Sequence, residues 1–208
     1  VVAGESFREC SAPPVDGGVD AAVAAVRRLA EALLRTGDGT AVDLDDLARR
    51  ITALSEEVEE HTPALDTRMV DMWSGEGATR HDPVTGPENA LAPPLHLTGH
   101  DDGSVSGTVR LGVLYQGPPG CVHGGVSALL LDHTLGVANA WAGTAGMTGT
   151  LTVRYHAPVP LHEDLVVSGR QERVEGRKIW TTGTISHDGK VLVSTEGLFI
   201  DALLQRPR

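Results

Sequence analysis

The stretch from Gly117 to Gly136, GPPGCVHGGVSALLLDHTLG, constrains the fold more than any other part of the chain. From His123 or Gly124 onward it reads as a helix. Val126, Ala128, Leu129, Leu130, Leu131, Leu135, Val137, Ala138 and Trp141 cover nearly every side of that helix. A helix apolar all round is one that the rest of the protein encloses. The segments on either side have the period of strands, so they can supply the cover. LHLTGHDDGSVSGTVRLG, from Leu95, reads as a hairpin turning at Asp101–Gly103. After the helix, Leu151, Val153 and Tyr155 alternate with Thr150, Thr152 and Arg154. Three more strand patterns follow, DLVVSGRQERVEG, RKIWTTGTISHDG and KVLVSTEGLFIDA, joined by EGR and HDGK turns. The order strand, strand, helix, four strands predicts an α+β domain over residues 95–202, in which one antiparallel sheet wraps around the apolar helix.

The preceding residues are organised differently. Residues 1–18 mix Pro with Gly and read as a flexible lead-in. Val19, Val23, Val26, Ala30 and Leu33 form one helical stripe, and Leu44, Leu47, Ile51, Leu54 and Val58 form another. Asp43 is placed to cap the second helix, with Val42 and Leu47 at the positions of a hydrophobic staple. The turn TGDGT separates the two, so residues 19–60 are expected to form a helical hairpin whose stripes pack on each other or on the main domain. Residues 61–94 read as an irregular connecting segment over the surface, with a short helix or edge strand around Arg68–Trp73.

Composition narrows the classes of function. The net charge of −11, concentrated in the N-terminal part, argues against nucleic acid or an anionic membrane surface as partner. No run of 18 apolar residues is present to span a bilayer. The polar start and the two distant cysteines, Cys10 and Cys121, predict a cytoplasmic chain with neither a secretory leader nor a disulfide framework.

Asp132 is out of place in such a helix. An ionised acid inside an apolar element costs several kcal/mol, on the order of magnitude of a buried charge, unless it is paired. By pattern alone it is either a salt-bridged or solvent-facing residue, or a base with a tuned pKa in a cleft. The helix start adds a second feature. Gly124 and Gly125 in the first turn leave backbone N–H groups without intrahelical partners and without side chains in the way, at the positive end of the helix dipole. Such donors suit a developing oxyanion, although a plain glycine turn looks the same. Eight residues of helix separate Gly124 from Asp132, about 12 Å. One carbonyl carbon cannot touch both, so a shared site requires a second copy of the helix across a two-fold axis. A homodimer with two interface sites follows, and stacking into a tetramer stays open.

His123-Gly124-Gly125, Asp132 nine residues after the histidine, and the later TGTLTVRYHAPVPLHEDLVVSG together resemble the hotdog-fold thioesterases, in particular the PaaI-like branch of the 4-hydroxybenzoyl-CoA thioesterase superfamily. The resemblance covers about residues 93–201. It implies hydrolysis of an acyl-CoA thioester, with no metal or redox cofactor and coenzyme A only as part of the substrate. It also implies roles by position. Asp132 matches the catalytic carboxylate, Gly124 the residue whose N–H polarises the carbonyl, Thr148 the hydroxyl that helps place the water, and His123 the motif histidine that orients the loop or substrate. Gly125, the last residue of this motif, is a candidate substrate-binding residue. Gly117 stands where some members carry an Asn or Gln facing the carbonyl, with Gln116 adjacent as a substitute. Arg154, Arg170, Arg173, Arg177 and Lys178 are candidates for the coenzyme A phosphates.

Three other readings compete with this one. A Cys121–His123 nucleophile is disfavoured by its i, i+2 spacing. A non-catalytic acyl-CoA-binding protein, acting as sensor or scaffold, has no need of Asp132 and Thr148. A hydratase would carry Asp-x-Asn-Pro-x-His, which is absent here. His81, His156, His162 and His187 lack metal-ligand spacing, and Trp141 and Trp180 read as packing or edge positions.

Overall fold

Alternation of apolar and polar residues builds a single antiparallel sheet, and the computed structural model describes it within residues 8–37, 40–64 and 80–201. The strands are β1 (Arg8–Glu9), β2 (Thr98–Gly99), β3 (Ser104–Arg110), β4 (Met147–Tyr155), β5 (Asp164–Glu175), β6 (Lys178–His187) and β7 (Lys190–Ile200). The helices are α1 (Gly18–Thr36), α2 (Leu44–Glu59) and α3 (Gly124–Trp141), with a 3-10 turn at Val113–Tyr115. The spatial order is β1-β2-β3-β5-β6-β7-β4, so β4 leaves α3 and crosses to the far edge. The strand, strand, helix, four-strand order read from the sequence is the one observed.

α3 lies against β3, β4, β5, β6 and β7. Every second residue of the central strands faces it: Leu165, Val167 and Gly169 on β5, Ile179, Thr181, Gly183 and Ile185 on β6, Val193, Thr195, Gly197 and Phe199 on β7. Opposite them Leu130, Leu131, Leu135 and Ala138 are completely buried, each leucine worth roughly 1.5–3 kcal/mol. The glycines set the helix-to-sheet distance. A Cβ on Gly183 would stand 2.8 Å from Leu135 Cδ2 and 2.7 Å from the Ser168 carbonyl oxygen, and one on Gly197 2.8 Å from Leu135 Cδ1.

The helix is not enclosed on all sides, contrary to the expectation from its composition. Ser127, Leu130, Leu131, Thr134, Leu135, Ala138 and Asn139 are its buried residues. Gly125, Leu129, Asp132, Gly136 and Ala140 recur every three or four residues on the other side and stay open to varying degrees, Leu129 being 42 % exposed. One sheet layer covers one face of a helix. The remaining strip, apolar apart from Asp132, is only partly covered by the described chain.

The N-terminal part departs further from expectation. Residues 8–9 of the supposed lead-in pair with β2, Arg8 opposite Gly99, and Leu97 N–H donates to the buried Ser11 Oγ at 2.9 Å. Two residues carry no alternation, which is why no periodicity reveals this strand. Asp43 caps α2 as expected, accepting from Asp46 N–H at 2.9 Å. The apolar stripes do not bury as expected, however: α2 has no buried residue, and Val19, Val26 and Leu33 of α1 are all exposed. Polar contacts hold α1 instead. Arg80 Nη2 donates to both Asp20 oxygens at 2.7 Å and Arg80 Nε to Glu88 at 2.7 Å. Arg27 donates to the carbonyls of Asn89 and Ala90. The Val15 N–H, then the Arg80 guanidinium, hold the Asp20 carboxyl below the usual carboxylate range. Residues 80–97 run irregularly between α1 and the sheet, burying Val84, Ala92, Leu95 and Leu97; Arg68–Trp73 lie outside the described residues.

Candidate active site

His123 ends an extended segment and begins α3 as its N-cap, its Nδ1 accepting the Gly125 N–H at 3.0 Å. The histidine ring thereby engages the Gly125 amide and closes the turn that opens the helix. The Gly124 N–H has no acceptor among the described residues. Its carbonyl accepts the Tyr155 hydroxyl at 2.8 Å, which ties the end of β4 to the start of the helix. Gly124, Cys121, Ser127, Tyr155 and Pro158 line a cleft of about 440 Å³. The adjoining loop is built by close approach: a Cβ on Gly117 would stand 2.7 Å from His123 Cα. Gln116 Oε1 accepts the Gly120 N–H at 3.1 Å. Gly117 and Gln116 thus shape the turn that presents His123. His123 Nδ1 accepts from the Gly125 N–H, and no hydrogen bond joins Cys121 to His123 among the described residues.

Asp132 lies two turns further along the open strip. Thr148 Oγ1 donates to its Oδ1 at 2.8 Å. A bulge makes this contact possible. Thr148 and Tyr155 are an odd number of residues apart and would face opposite sides of a regular strand. The register slips between Thr148 and Thr150, at Gly149, and so both side chains meet α3. Asp132, Thr148, Gly136, Val137, Met147 and Phe199 line a second cleft of about 480 Å³.

His133 shares this cleft, and the sequence reading did not assign it a role. Its Nε2 is 3.2 Å from Thr85 Oγ1 and its Nδ1 3.5 Å from Asp82 Oδ1. Burial pushes its pKa below the usual histidine value, against the opposing charges of Asp82 and Asp132. Asp82 is itself fixed by the N–H groups of Val84 and Thr85, at 2.7 and 3.0 Å. No sequence signal links residues 82 and 133, because the contact spans an irregular segment.

The basic candidates divide between the two ends of the sheet. Arg154 is exposed on β4 next to Tyr155. Arg177 and Lys178 sit at the β5–β6 turn, where Lys178 is in register with Ile200 and Ile200 with Met147. Arg177 Nε donates to the Asp201 carbonyl at 3.0 Å. Arg173 stacks 4.1 Å over Trp180, and Arg170 pairs with Asp102. Trp141 packs over Gly99 and donates to the His100 carbonyl at 3.0 Å. Among the described residues no group of three or more His, Cys, Asp or Glu side chains is placed to hold a metal, and no helix is long and apolar enough to cross a membrane.

A sheet curled on one helix, with an unoccupied amide donor at the helix tip and a hydroxyl-bonded carboxylate two turns on, defines a hotdog-type α+β protein. Comparison with known proteins gives the family. Residues 119–194 match the family model "Thioesterase superfamily", and residues 10–67 match "Hypothetical protein RHA1_ro05818, N-terminal helical domain". The crystal structure of protein RHA08564, a thioesterase superfamily protein, is 57 % identical, with a TM-score of 0.88 over 95 % of this chain and 98 % of that one. The chain belongs to the thioesterase superfamily. Zebra fish thioesterase superfamily member 2 shares the fold, with 16 % identity and a TM-score of 0.52 over 59 % of this chain and 91 % of that one. Acyl-coenzyme A thioesterase THEM4 of Xenopus laevis is 38 % identical over 91 residues, 43 % of this chain and 41 % of that protein. Mouse THEM4 is 37 % identical over 98 residues, 46 % and 42 % of the two chains. The chain thus spans about two fifths of the length of the curated relatives it matches.

Proposed function

We propose that the chain hydrolyses acyl-CoA thioesters to the free acid and coenzyme A, as a homodimer with two composite sites. The observation that carries this reading is the 2.8 Å Thr148–Asp132 hydrogen bond, held in an open cleft beside an edge strand. Gly124 and Asp132 line different clefts of one chain, so each half-site lacks the other's chemistry. The outer edge of β4 has no strand partner among the described residues, and a free edge favours pairing with another chain. Thr148 and Tyr155 are equidistant from the midpoint between Leu151 and Thr152. Antiparallel pairing of two β4 strands about that midpoint sets Thr148 opposite the partner's Tyr155. The carboxylate cleft of one protomer then adjoins the helix tip of the other.

In such a site the Gly124 N–H donates to the thioester carbonyl oxygen, with the dipole of α3 behind it. Asp132, held by Thr148, takes a proton from a water as the water oxygen bonds to the carbonyl carbon. Collapse of the tetrahedral adduct breaks the C–S bond, and the proton returns to the departing thiolate. Arg154, Arg177 and Lys178 are the groups we assign to the phosphates of coenzyme A, since two-fold pairing brings opposite sheet ends together. The free Cys10 and Cys121 accord with a cytoplasmic setting.

The test is hydrolysis of an acyl-CoA panel, followed with a free-thiol reagent, by wild type and Asp132→Asn. The expected loss of turnover is a factor of at least about 100, in the range general-base catalysis supplies, with the fold and acyl-CoA binding retained. Turnover within twofold of wild type removes Asp132 from the mechanism. Binding without hydrolysis by the wild type replaces the hydrolase with the sensor or scaffold reading.

A further inference from the structure

The proposed hydrolysis leaves a third cleft unused. It has a volume of about 330 Å³ and lies between α1, residues 90–93, the 3-10 turn and α3. Val26 and Ala30 of α1 form one wall, Leu91 and Tyr115 the sides, and Val126 and Leu129 of α3 the floor. Its volume falls in the range of sites that take small ligands, roughly 300–1,000 Å³. Its polar atoms are already bonded within the chain. The Tyr115 hydroxyl donates to the Ala92 carbonyl at 3.0 Å, and the Arg27 guanidinium to the carbonyls of Asn89 and Ala90. What the cleft offers a ligand is therefore hydrocarbon surface. Val26 is 52 % exposed, Leu91 81 % and Leu129 42 %, so the apolar rim stands open to solvent.

Its place on α3 connects it to the reacting centre. Val126 follows Gly125 directly. Leu129 lies one turn beyond Gly125, about 6 Å along the axis, and three residues before Asp132 on the open strip. A chain attached to a carbonyl held at the helix tip reaches this floor by following the helix. We propose that the α1–α3 cleft receives the aliphatic part of the acyl group, and that α1, through Val26 and Ala30, forms the outer wall that sets acyl length. The proposal rests on the acyl-CoA reading above, and it gives the N-terminal helix a part in substrate selection.

The experiment measures kcat/KM of the full chain on a straight-chain series from acetyl-CoA to hexadecanoyl-CoA. Each methylene buried in the cleft raises kcat/KM about fourfold, so wild type shows a rise with length that stops when the cleft is full. Ala30→Trp fills the cleft and is expected to lower the decanoyl-to-acetyl ratio at least tenfold. Val26→Trp, at a position half open to solvent, narrows the mouth and shifts the ratio the same way if Ala30→Trp fails to fold. A ratio unchanged within twofold in the folded variants overturns the proposal while leaving the hydrolase reading intact. If wild type turns over none of the series, that reading fails by itself. Calorimetric binding of decanoyl-CoA to wild type and Val26→Trp then decides the cleft: at least tenfold weaker binding by the variant supports it, and equal affinities overturn it.

Discussion

Replacing Thr148 by Val removes one hydroxyl and keeps the shape of the side chain. The hydroxyl donates to Asp132 at 2.8 Å, and a hydrogen bond to a charged group contributes roughly 1.5–3 kcal/mol. Thr148 is exposed on an edge strand, so its loss should move folding stability by less than about 0.5 kcal/mol. The cost therefore falls on orientation of the carboxylate during the reaction. At 1.36 kcal/mol per tenfold, kcat should fall about 13- to 160-fold. Thr148→Ser keeps the donor and should recover most of that loss. The assay is steady-state hydrolysis with a free-thiol reagent, alongside thermal melts of all three proteins. If Thr148→Val keeps kcat within twofold of wild type, or if the serine variant is as impaired as the valine, the hydrogen bond does not position the base.

Gly117→Ala forces a Cβ to within 2.7 Å of His123 Cα; overpacking of that kind costs about 1–3 kcal/mol, lowering Tm by roughly 2–4 °C per kcal/mol and kcat with it as Gly124 is displaced. His133 has a folded-state pKa depressed by burial, so the unfolded chain binds its proton more readily and stability falls as pH drops from about 6.5. Denaturant titrations of His133→Gln across pH 7 to 5 should show that slope flattened, and an unaltered slope assigns it to other groups. Asp20→Ala removes the acceptor for Arg80 and Val15, so limited proteolysis should cut faster before residue 37, with the cleavage pattern of the sheet unchanged.

The parts of the fold that were legible are those where one local period decides. The strand, strand, helix, four-strand order emerged because Leu151, Val153 and Tyr155, or Leu165 and Val167, alternate in step with a sheet that has one buried face. The start of α3 was legible from the glycine pair, and Asp132 from its conflict with leucine neighbours. What was not legible depends on pairs far apart in the chain. β1 is two residues long, and its partner lies 91 positions away in Arg8↔Gly99. The open strip of α3 was invisible because Leu129, Gly136 and Ala140 look as apolar as the residues that face the sheet. The bulge at Gly149 turns Thr148 inward, and nothing in the local alternation requires it. His133 carries no local signal of its place, because the loop that covers it, through Asp82 and Thr85, lies some 50 positions upstream in sequence.

The row of missing side chains at Gly169, Gly183 and Gly197 has an evolutionary consequence. With Leu135 seated almost on the strand backbones, no side chain is left beneath that part of the helix to be trimmed or enlarged. At that point a lineage of such proteins cannot remodel its substrate range from below. Diversification is confined to the upper storey, where an appended helix, a loop or a neighbouring subunit can be exchanged without disturbing the floor.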